Sequence, residues 1–173
     1  MRKIVGIVII ASVGFGAIFF VNYLNLSMPL NNVLEQDSRN SGIVLSAHYE
    51  NYINPSVLVI DVKNIEGTKS AADVFRLFLN YADEMQEKRF EKVLLSCKGD
   101  QRFFIEGLYF ETIGKEFSYQ NPVYTMRTFS ENLYEPSGAR AYGTWTGGVL
   151  GVMGKQMEDF SDFHKSWYLR DCL

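Results

Sequence analysis

SVLVIDV, residues 56–62, is the strongest strand signal in this 173-residue chain, and the prediction of the fold starts from it. Its β-branched and aliphatic residues follow one another almost without interruption, which is typical of a central strand covered on both faces. A second apolar run precedes it at residues 43–49, and Asn54 and Pro55 between the runs favour a turn. The spacing predicts a hairpin or two neighbouring strands.

A helix is predicted directly after these strands, over residues 71–88. Ser70 is a favoured N-cap residue, and Asp73 stands three positions later. Apolar residues recur at steps of three and four, which indicates that one face of the helix is buried. That face is predicted to hold Val74, Phe75, Phe78, Tyr81, Ala82 and Met85.

A second hairpin and two shorter elements follow. Residues 92–97 and 102–106 flank a turn in which Gly99 favours a positive φ. Residues 107–114 predict a short helix, and the alternating character of residues 122–129 predicts a further strand.

The last predicted element is a helix in the C-terminal part of the chain. Its apolar side is predicted to hold Leu150, Met153, Met157, Phe160, Phe163 and Trp167. The predicted element order is therefore β-β-α-β-β-α-β-α. This order indicates an α+β domain with a mostly antiparallel sheet and helices packed on one face.

IVGIVIIASVGFGAIFFV, residues 4–21, has no charged residue, and Arg2 and Lys3 stand directly before it. A helix of this length spans roughly 27 Å, close to the ~30 Å hydrocarbon core of a bilayer. We therefore predict an N-terminal transmembrane helix, an uncleaved signal anchor over residues 1–24 that contacts membrane lipid through residues 4–21. Because basic residues stay on the cytoplasmic side, the rest is predicted to be extracytoplasmic, and periplasmic in a bacterium.

The same segment has two further interpretations, a cleaved secretory signal and a helix buried in a protein core. Gly6, Gly14 and Gly16 disfavour the core helix, because glycine weakens a helix in water and is better tolerated in membranes. A cleaved secretory signal has the same basic start, and Gly14 and Gly16 are small enough for a cleavage site. Ser12 and Gly16 form a small-xxx-small pair, which is typical of membrane helices that pack closely. The pair makes a homodimer through the anchor a candidate.

Residues 25–41 are polar, rich in Asn and Ser and without steady periodicity, so they predict a tether. Residues 42–173 then form one extracytoplasmic α+β domain, long enough to bury a core. Without Arg2 and Lys3, the 17 basic residues fall to 15 against 20 acidic ones, a net charge of −5. An acidic surface does not favour nucleic acid, which requires clustered Lys and Arg. The predicted partner is a protein of the cell envelope.

Cys97 and Cys172 are the two cysteines of the chain. An even pair in an oxidising compartment indicates a disulfide bond, and two free thiols are the alternative. Cys97 with His48 or His164 is also a candidate thiol nucleophile with its base. Against that candidate, a cysteine at the end of an apolar strand is usually buried and inert.

A polar, glycine-containing segment precedes the last predicted helix. The segment supplies Arg140, Thr144, Trp145, Thr146, Gly147 and Gly148. Free N–H groups at a helix N-terminus attract an anion or a carboxylate, so these six residues form the candidate ligand-binding site. The alternative is that Thr146 caps the helix and the glycines allow a close turn.

Other site motifs are not met. In GGVLGVMGK, Val149 stands where a phosphate loop needs glycine, and Gln156 follows Lys155 in place of Ser or Thr. No GxSxG motif occurs in the sequence. The acids at positions 158, 159 and 162 have lysines three or four residues away, which indicates surface ion pairs. We predict no catalytic residue, no metal and no cofactor.

The sequence thus predicts a single-pass membrane-anchored protein with an extracytoplasmic α+β domain. Its predicted function is binding of a protein or a ligand, as an accessory component of a cell-envelope assembly. The alternative function is a membrane-proximal hydrolase or thiol-dependent enzyme that uses Cys97.

Overall fold

The computed structural model describes residue 14 and residues 16–170 of the chain. Its strands are β1 (Ile43–Glu50), β2 (Asn54–Ile65), β3 (Lys92–Cys97) and β4 (Asp100–Glu106). Its α-helices include α1 (Met28–Gln36), α2 (Ala71–Glu84), α3 (Gly107–Glu116), α4 (Pro122–Phe129) and α5 (Val149–His164). Residues 16–22 are also helical and continue through a π-helical turn, Tyr23–Ser27, into α1. A second π-helical turn, Lys165–Leu169, follows α5.

The four strands form one mixed sheet in the order β1-β2-β3-β4. β1 pairs antiparallel with β2, and β3 pairs antiparallel with β4. β2 and β3 run parallel because α2 carries the chain back across the sheet before β3 begins. The prediction of a mostly antiparallel sheet is corrected at this central pair.

The main core lies between one face of the sheet and the helices. Ile60 on β2 and Leu95 on β3 point into it, and both are fully buried. Aromatic side chains from α2, α3, α4, α5 and the π-helical turn after α5 fill the space above them. In this cluster Phe75 of α2 meets Phe129 of α4 edge to face, with ring centroids 5.0 Å apart. Such pairs combine a large apolar area with a favourable ring geometry.

α2 begins as the sequence predicts. The Ser70 hydroxyl accepts a hydrogen bond from the Asp73 N–H, and the Asp73 carboxylate accepts one from the Ser70 N–H. This reciprocal capping box satisfies two donors that the start of a helix leaves without partners. α2 ends at Glu84, four residues before the predicted end.

Residues 122–129 form a helix, α4, so the prediction of a strand there is wrong. The Asn121 side chain accepts a hydrogen bond from the Val123 N–H, and Pro122 occupies the first helical turn. Both features favour a helix N-terminus. Thr125 and Phe129, four residues apart, are the buried positions. The element order after the first two strands is therefore α-β-β-α-α-α.

The last helix, α5, buries only its second half in the core. Phe160, Phe163 and Trp167 are buried as predicted. Leu150, in contrast, is 84% exposed, and Met157 is also exposed. The first half of α5 extends past the edge of the core, so the apolar periodicity there does not lead to burial.

The structure differs from the predicted tether at residues 25–41. Met28–Gln36 is the helix α1, with Pro29 in its first turn. Leu26, Leu30 and Val33 belong to the same buried cluster as the core of the sheet. Apolar residues at steps of three and four therefore attach this segment to the domain, although its overall composition is polar.

The prediction of an N-terminal transmembrane helix is corrected by the structure. None of the helices in the described part of the chain combines the length and the apolar character that crossing a bilayer requires. Residues 1–13 and 15 of the predicted anchor lie outside the described residues. Asn22, near the end of that segment, is buried against the domain. The single-pass anchor, and the localisation derived from it, are therefore not supported.

Candidate functional site

Polar residues cross all four strands in one register row, on the sheet face opposite the helices. Ser46 on β1 is the register partner of Asp61 on β2, and Asp61 is also the partner of Ser96 on β3. Gln101 on β4 completes the row opposite Ser96. Asp61, Ser96 and Gln101 line a hollow with a volume of about 390 Å³. We call this cavity the sheet hollow.

Asp61 places a buried carboxylate in the sheet hollow. The residue is 1% exposed and neighbours the apolar residues Val59 and Leu94, which line the same hollow. Its Oδ1 accepts a hydrogen bond of 3.1 Å from the Gly99 N–H, and its Oδ2 is ion-paired with Lys63. A buried charge requires this kind of pairing, because its desolvation is otherwise very unfavourable.

Lys63 and Gly99 reach Asp61 for different structural reasons. Lys63 stands two residues along β2, on the same side of the strand as Asp61. Its side chain is 44% exposed, so the ammonium group lies at the boundary between the hollow and solvent. Gly99 has a φ of +93°, which glycine adopts without strain, in the tight turn between β3 and β4.

His48 and Tyr52 form an aromatic wall at the other end of the hollow. Their rings are stacked with centroids 4.5 Å apart and an interplanar angle of 14°. The His48 Nδ1 lies 2.8 Å from the Tyr49 carbonyl oxygen, which can only accept a hydrogen bond. Nδ1 is therefore the donor in this contact.

The sheet hollow contains the residue types of a catalytic triad without the geometry of one. His48 lies on β1 and Ser96 on β3, on opposite sides of β2. Two strand spacings, about 9–10 Å, separate β1 from β3, and Ser96 lies two residues along β3 from Leu94, which is level with His48. A nucleophile and its base must approach to about 3 Å. The geometry therefore does not place His48 to activate Ser96.

Arg140, the first residue of the predicted ligand site, has structural partners. It donates a hydrogen bond to the Glu131 carbonyl oxygen, and its guanidinium lies 5.4 Å from the centre of the Tyr134 ring. Tyr134 stacks in turn on Phe104 of β4. These contacts hold the loop after α4 against the outer face of the sheet.

Trp145 contacts α5 and not Arg140. Its indole N–H donates a hydrogen bond of 2.6 Å to Asp159, and the Lys155 ammonium lies 5.8 Å from its ring. Lys155 is also paired with Glu158, and this hydrogen bond raises the pKa of the lysine. In the described chain, no hydrogen bond joins Arg140 to the other predicted site residues.

The start of α5 differs from the predicted alternative as well. Gly148 is the N-cap residue, and no side chain caps the helix, so Thr146 does not have that role. Thr144, Thr146, Gly147 and Gly148 are exposed. Gly147 has a φ of +137°, a conformation that favours glycine. Ligand binding by this segment stays a prediction.

Cys97 is buried at the end of β3 and is disulfide-bonded, so its thiol is not free. Cys172 lies outside the described residues, and a bond between the two cysteines stays a prediction. The chain comes close to β3 shortly before Cys172, because the Trp167 indole donates to the Ser96 carbonyl oxygen at 3.1 Å. A buried, bonded sulfur does not favour a thiol nucleophile.

The described residues contain no group of three or more His, Cys, Asp or Glu side chains that could hold a metal ion. Comparisons of the chain with protein-family models, with curated proteins and with solved structures found no significant match. The assignment of the candidate site therefore rests on the geometry of the described residues.

Sequence reasoning did not identify the sheet hollow. One signal for it was present: Asp61 is the single charged residue inside the apolar run 56–62. An acid at such a position indicates a buried charge with a partner. The alignment of Ser46, Ser96 and Gln101 with Asp61 depends on strand register, which the sequence does not display.

Proposed function

We propose that this protein is a binding protein whose sheet hollow takes a small polar ligand and prefers an ammonium group to a carboxylate. The observation that supports this proposal is the burial of Asp61 and Ser96, 1% and 3% exposed, in neighbouring positions on the two central strands. A charged and a hydroxyl side chain at such positions are less stabilising than two aliphatic residues. Residues that reduce stability in this way are typical of functional sites.

The charges of the lining support the preference for a cation. Glu50 and Asp61 are acidic and Lys63 is basic, so the hollow has one negative charge in excess. Asp61 is already paired with Lys63, whereas Glu50 has only the Asn54 amide as a partner among the described residues.

Three ligands of matched shape test the proposal: benzylamine, benzyl alcohol and benzoate. Each is titrated into the ¹⁵N-labelled full chain, and the amide signals of Lys63, Gly99 and Gln101 are followed. We expect these signals to shift, with affinity decreasing from benzylamine to benzyl alcohol to benzoate. The proposal fails if none of the three shifts these signals at millimolar concentration, or if benzoate binds most tightly.

Glu50→Gln is the matching variant, since it removes the excess charge and keeps a partner for Asn54. We expect it to weaken benzylamine binding about ten-fold, or about 1.4 kcal/mol. Glu158→Gln, at an exposed position of α5, is the control and is expected to leave binding unchanged. Equal benzylamine affinities of the Glu50→Gln and Glu158→Gln variants would contradict the role of Glu50 in binding the ammonium group.

A further inference from the structure

We infer from the structure a second binding site, which takes the alkyl chain of a single amphiphile molecule. The site is a groove between helical residues 16–22 and the turn that joins β1 to β2, with a volume of about 330 Å³. Ile18 and Val21 line it from the helix, and Tyr49, Ile53 and Pro55 line it from the strands. We call it the apolar groove. This inference does not depend on the function proposed for the sheet hollow.

The polar groups of Asn22, which also lines the apolar groove, are all used inside the protein. Its Nδ2 donates to the Ile18 carbonyl at 2.9 Å and to the Tyr52 carbonyl at 2.7 Å. Its Oδ1 accepts from the Tyr49 N–H at 2.8 Å. Burial also raises the pKa of the Tyr49 hydroxyl, which is consistent with an apolar surrounding. The Asn22 amide therefore has no free N–H to donate to a polar ligand, and the residue is only 4% exposed.

The charges and the size of the apolar groove restrict the occupant further. None of its lining residues is charged, and the sequence has no Asp, Glu, Lys or Arg between Lys3 and Glu35. An ionic or strongly polar ligand therefore has no attraction to it. Its volume lies near the lower limit of small-ligand sites, about 300–1,000 Å³, which suits one alkyl chain.

The walls of the apolar groove are held in place before any ligand arrives. Asn51 and Tyr52 have φ values of +50° and +64°, a left-handed conformation that is uncommon for a bulky residue such as tyrosine. The Tyr52 ring is further held between His48, at 4.5 Å, and Phe19, at 5.0 Å. This turn keeps Ile53 67% exposed at the rim of the groove. A preformed site binds with less loss of conformational entropy.

The test uses a series of neutral amphiphiles, the 1-alkanols hexanol, octanol and decanol. Each is titrated below its solubility limit into the full chain, and the methyl signals of Ile18, Val21 and Ile53 are followed by NMR. We expect these signals to shift and the affinity to rise about four-fold for each added methylene, equivalent to about 0.8 kcal/mol.

Val21→Asn places a polar amide in the apolar groove and is expected to weaken decanol binding about ten-fold. Val123→Asn is the matched control, because Val123 is also an exposed valine in a helix and lies on α4, away from the groove. Val123 is 54% exposed and Val21 is 47% exposed. The control is expected to bind decanol as the unmodified chain does. Ile53→Ser, in the exposed turn, is the second variant if Val21→Asn does not fold.

Three results would overturn the inference. The first is an alkanol affinity that does not depend on the length of the alkyl chain. The second is that the three methyl signals do not respond. The third is that Val21→Asn and Ile53→Ser bind decanol as tightly as the Val123→Asn control. Shifts of the same signals with protein concentration alone would identify a second copy of the chain as the occupant and would also overturn it.

Discussion

The side-chain amide of Asn22 donates a hydrogen bond of 2.7 Å to the backbone carbonyl of Tyr52, thirty residues later in the chain. The same side chain accepts from the Tyr49 N–H at 2.8 Å and is only 4% exposed. One residue therefore connects helical residues 16–22 to the end of β1 and to the turn after it. This helical segment is part of the folded domain.

Asn22→Ala is expected to destabilise the protein by about 1–3 kcal/mol, because it leaves the Tyr49 N–H and the Tyr52 carbonyl without their side-chain partner. Urea denaturation of the full chain measures the change. Asn31→Ala, at an exposed position of α1, is the control and is expected to change stability by less than about 0.5 kcal/mol. Equal effects of the two substitutions would show that the Asn22 bonds contribute little.

Two glycine-to-alanine substitutions in helices are expected to change the free energy of unfolding in opposite directions. A Cβ at Gly114 of α3 would lie 2.3 Å from the Ala82 carbonyl oxygen of α2, so Gly114→Ala should destabilise by about 1–3 kcal/mol. A Cβ at Gly154 of α5 has no atom within 4 Å, so Gly154→Ala should stabilise by about 0.5–1 kcal/mol. Thermal and urea unfolding measure both, and a stabilised Gly114→Ala variant would disprove the close packing of α2 and α3.

The predicted bond between Cys97 and Cys172 is tested by digestion of the unreduced protein and mass spectrometry of the peptides. We expect one linked pair of peptides containing both cysteines. A closed loop of 75 residues, 172 minus 97, stabilises by roughly 4 kcal/mol in the chain-entropy model. Cys172→Ala should therefore lower the free energy of unfolding by a similar amount, and a reductant should not lower that of the variant further. Two unlinked peptides would contradict the pairing.

We expect the burial of His164 to make the protein less stable in mild acid. The residue is fully buried between aromatic rings, and burial lowers its pKa from 6.5 to about 3. Between these values the unfolded chain binds a proton that the folded protein does not, so stability is complete above about pH 6.5 and decreases as pH falls toward 3. For this group alone we expect a loss of about 2 kcal/mol between pH 7 and pH 5.

His164→Phe removes this titration. Between pH 7 and pH 5, the free energy of unfolding of the variant should therefore fall by about 2 kcal/mol less than that of the unmodified chain. Tyr168→Phe is the control, because it removes the hydroxyl that lies 2.9 Å from the His164 Nδ1 and keeps the imidazole. The control should lose stability at every pH and keep the pH dependence of the unmodified chain. Parallel pH profiles for the His164→Phe variant and the unmodified chain would exclude His164 as the cause.

Elements that depend on residues close in sequence were predictable. The capping box of Ser70 and Asp73 begins α2, and Gly99 permits the turn between β3 and β4. Residues 122–129 show the limit of this approach. The alternating pattern predicts a strand, but the Asn121 cap and the proline after it favour a helix start, and the segment is a helix.

The sheet hollow was not predictable from any single segment. Asp61 stands out in the sequence as the acid inside an apolar run, yet its neighbours Ser46, Ser96 and Gln101 lie 15 to 40 residues away. The parallel pairing of β2 with β3 brings Asp61 beside Ser96, and the two hairpins add the remaining residues of the row. Register between strands depends on the whole buried face and not on local preference.

The sequence alone determined where β1 to β4 and α2 form, because caps, turns and apolar periodicity act over a few residues. Only the tertiary structure decided that residues 26–33 pack on the domain, that half of α5 stays exposed, and that four distant polar residues meet in one row. The physical reason is that burial and strand register are set by contacts between residues far apart in the chain. A local pattern can favour those contacts but cannot choose among their partners.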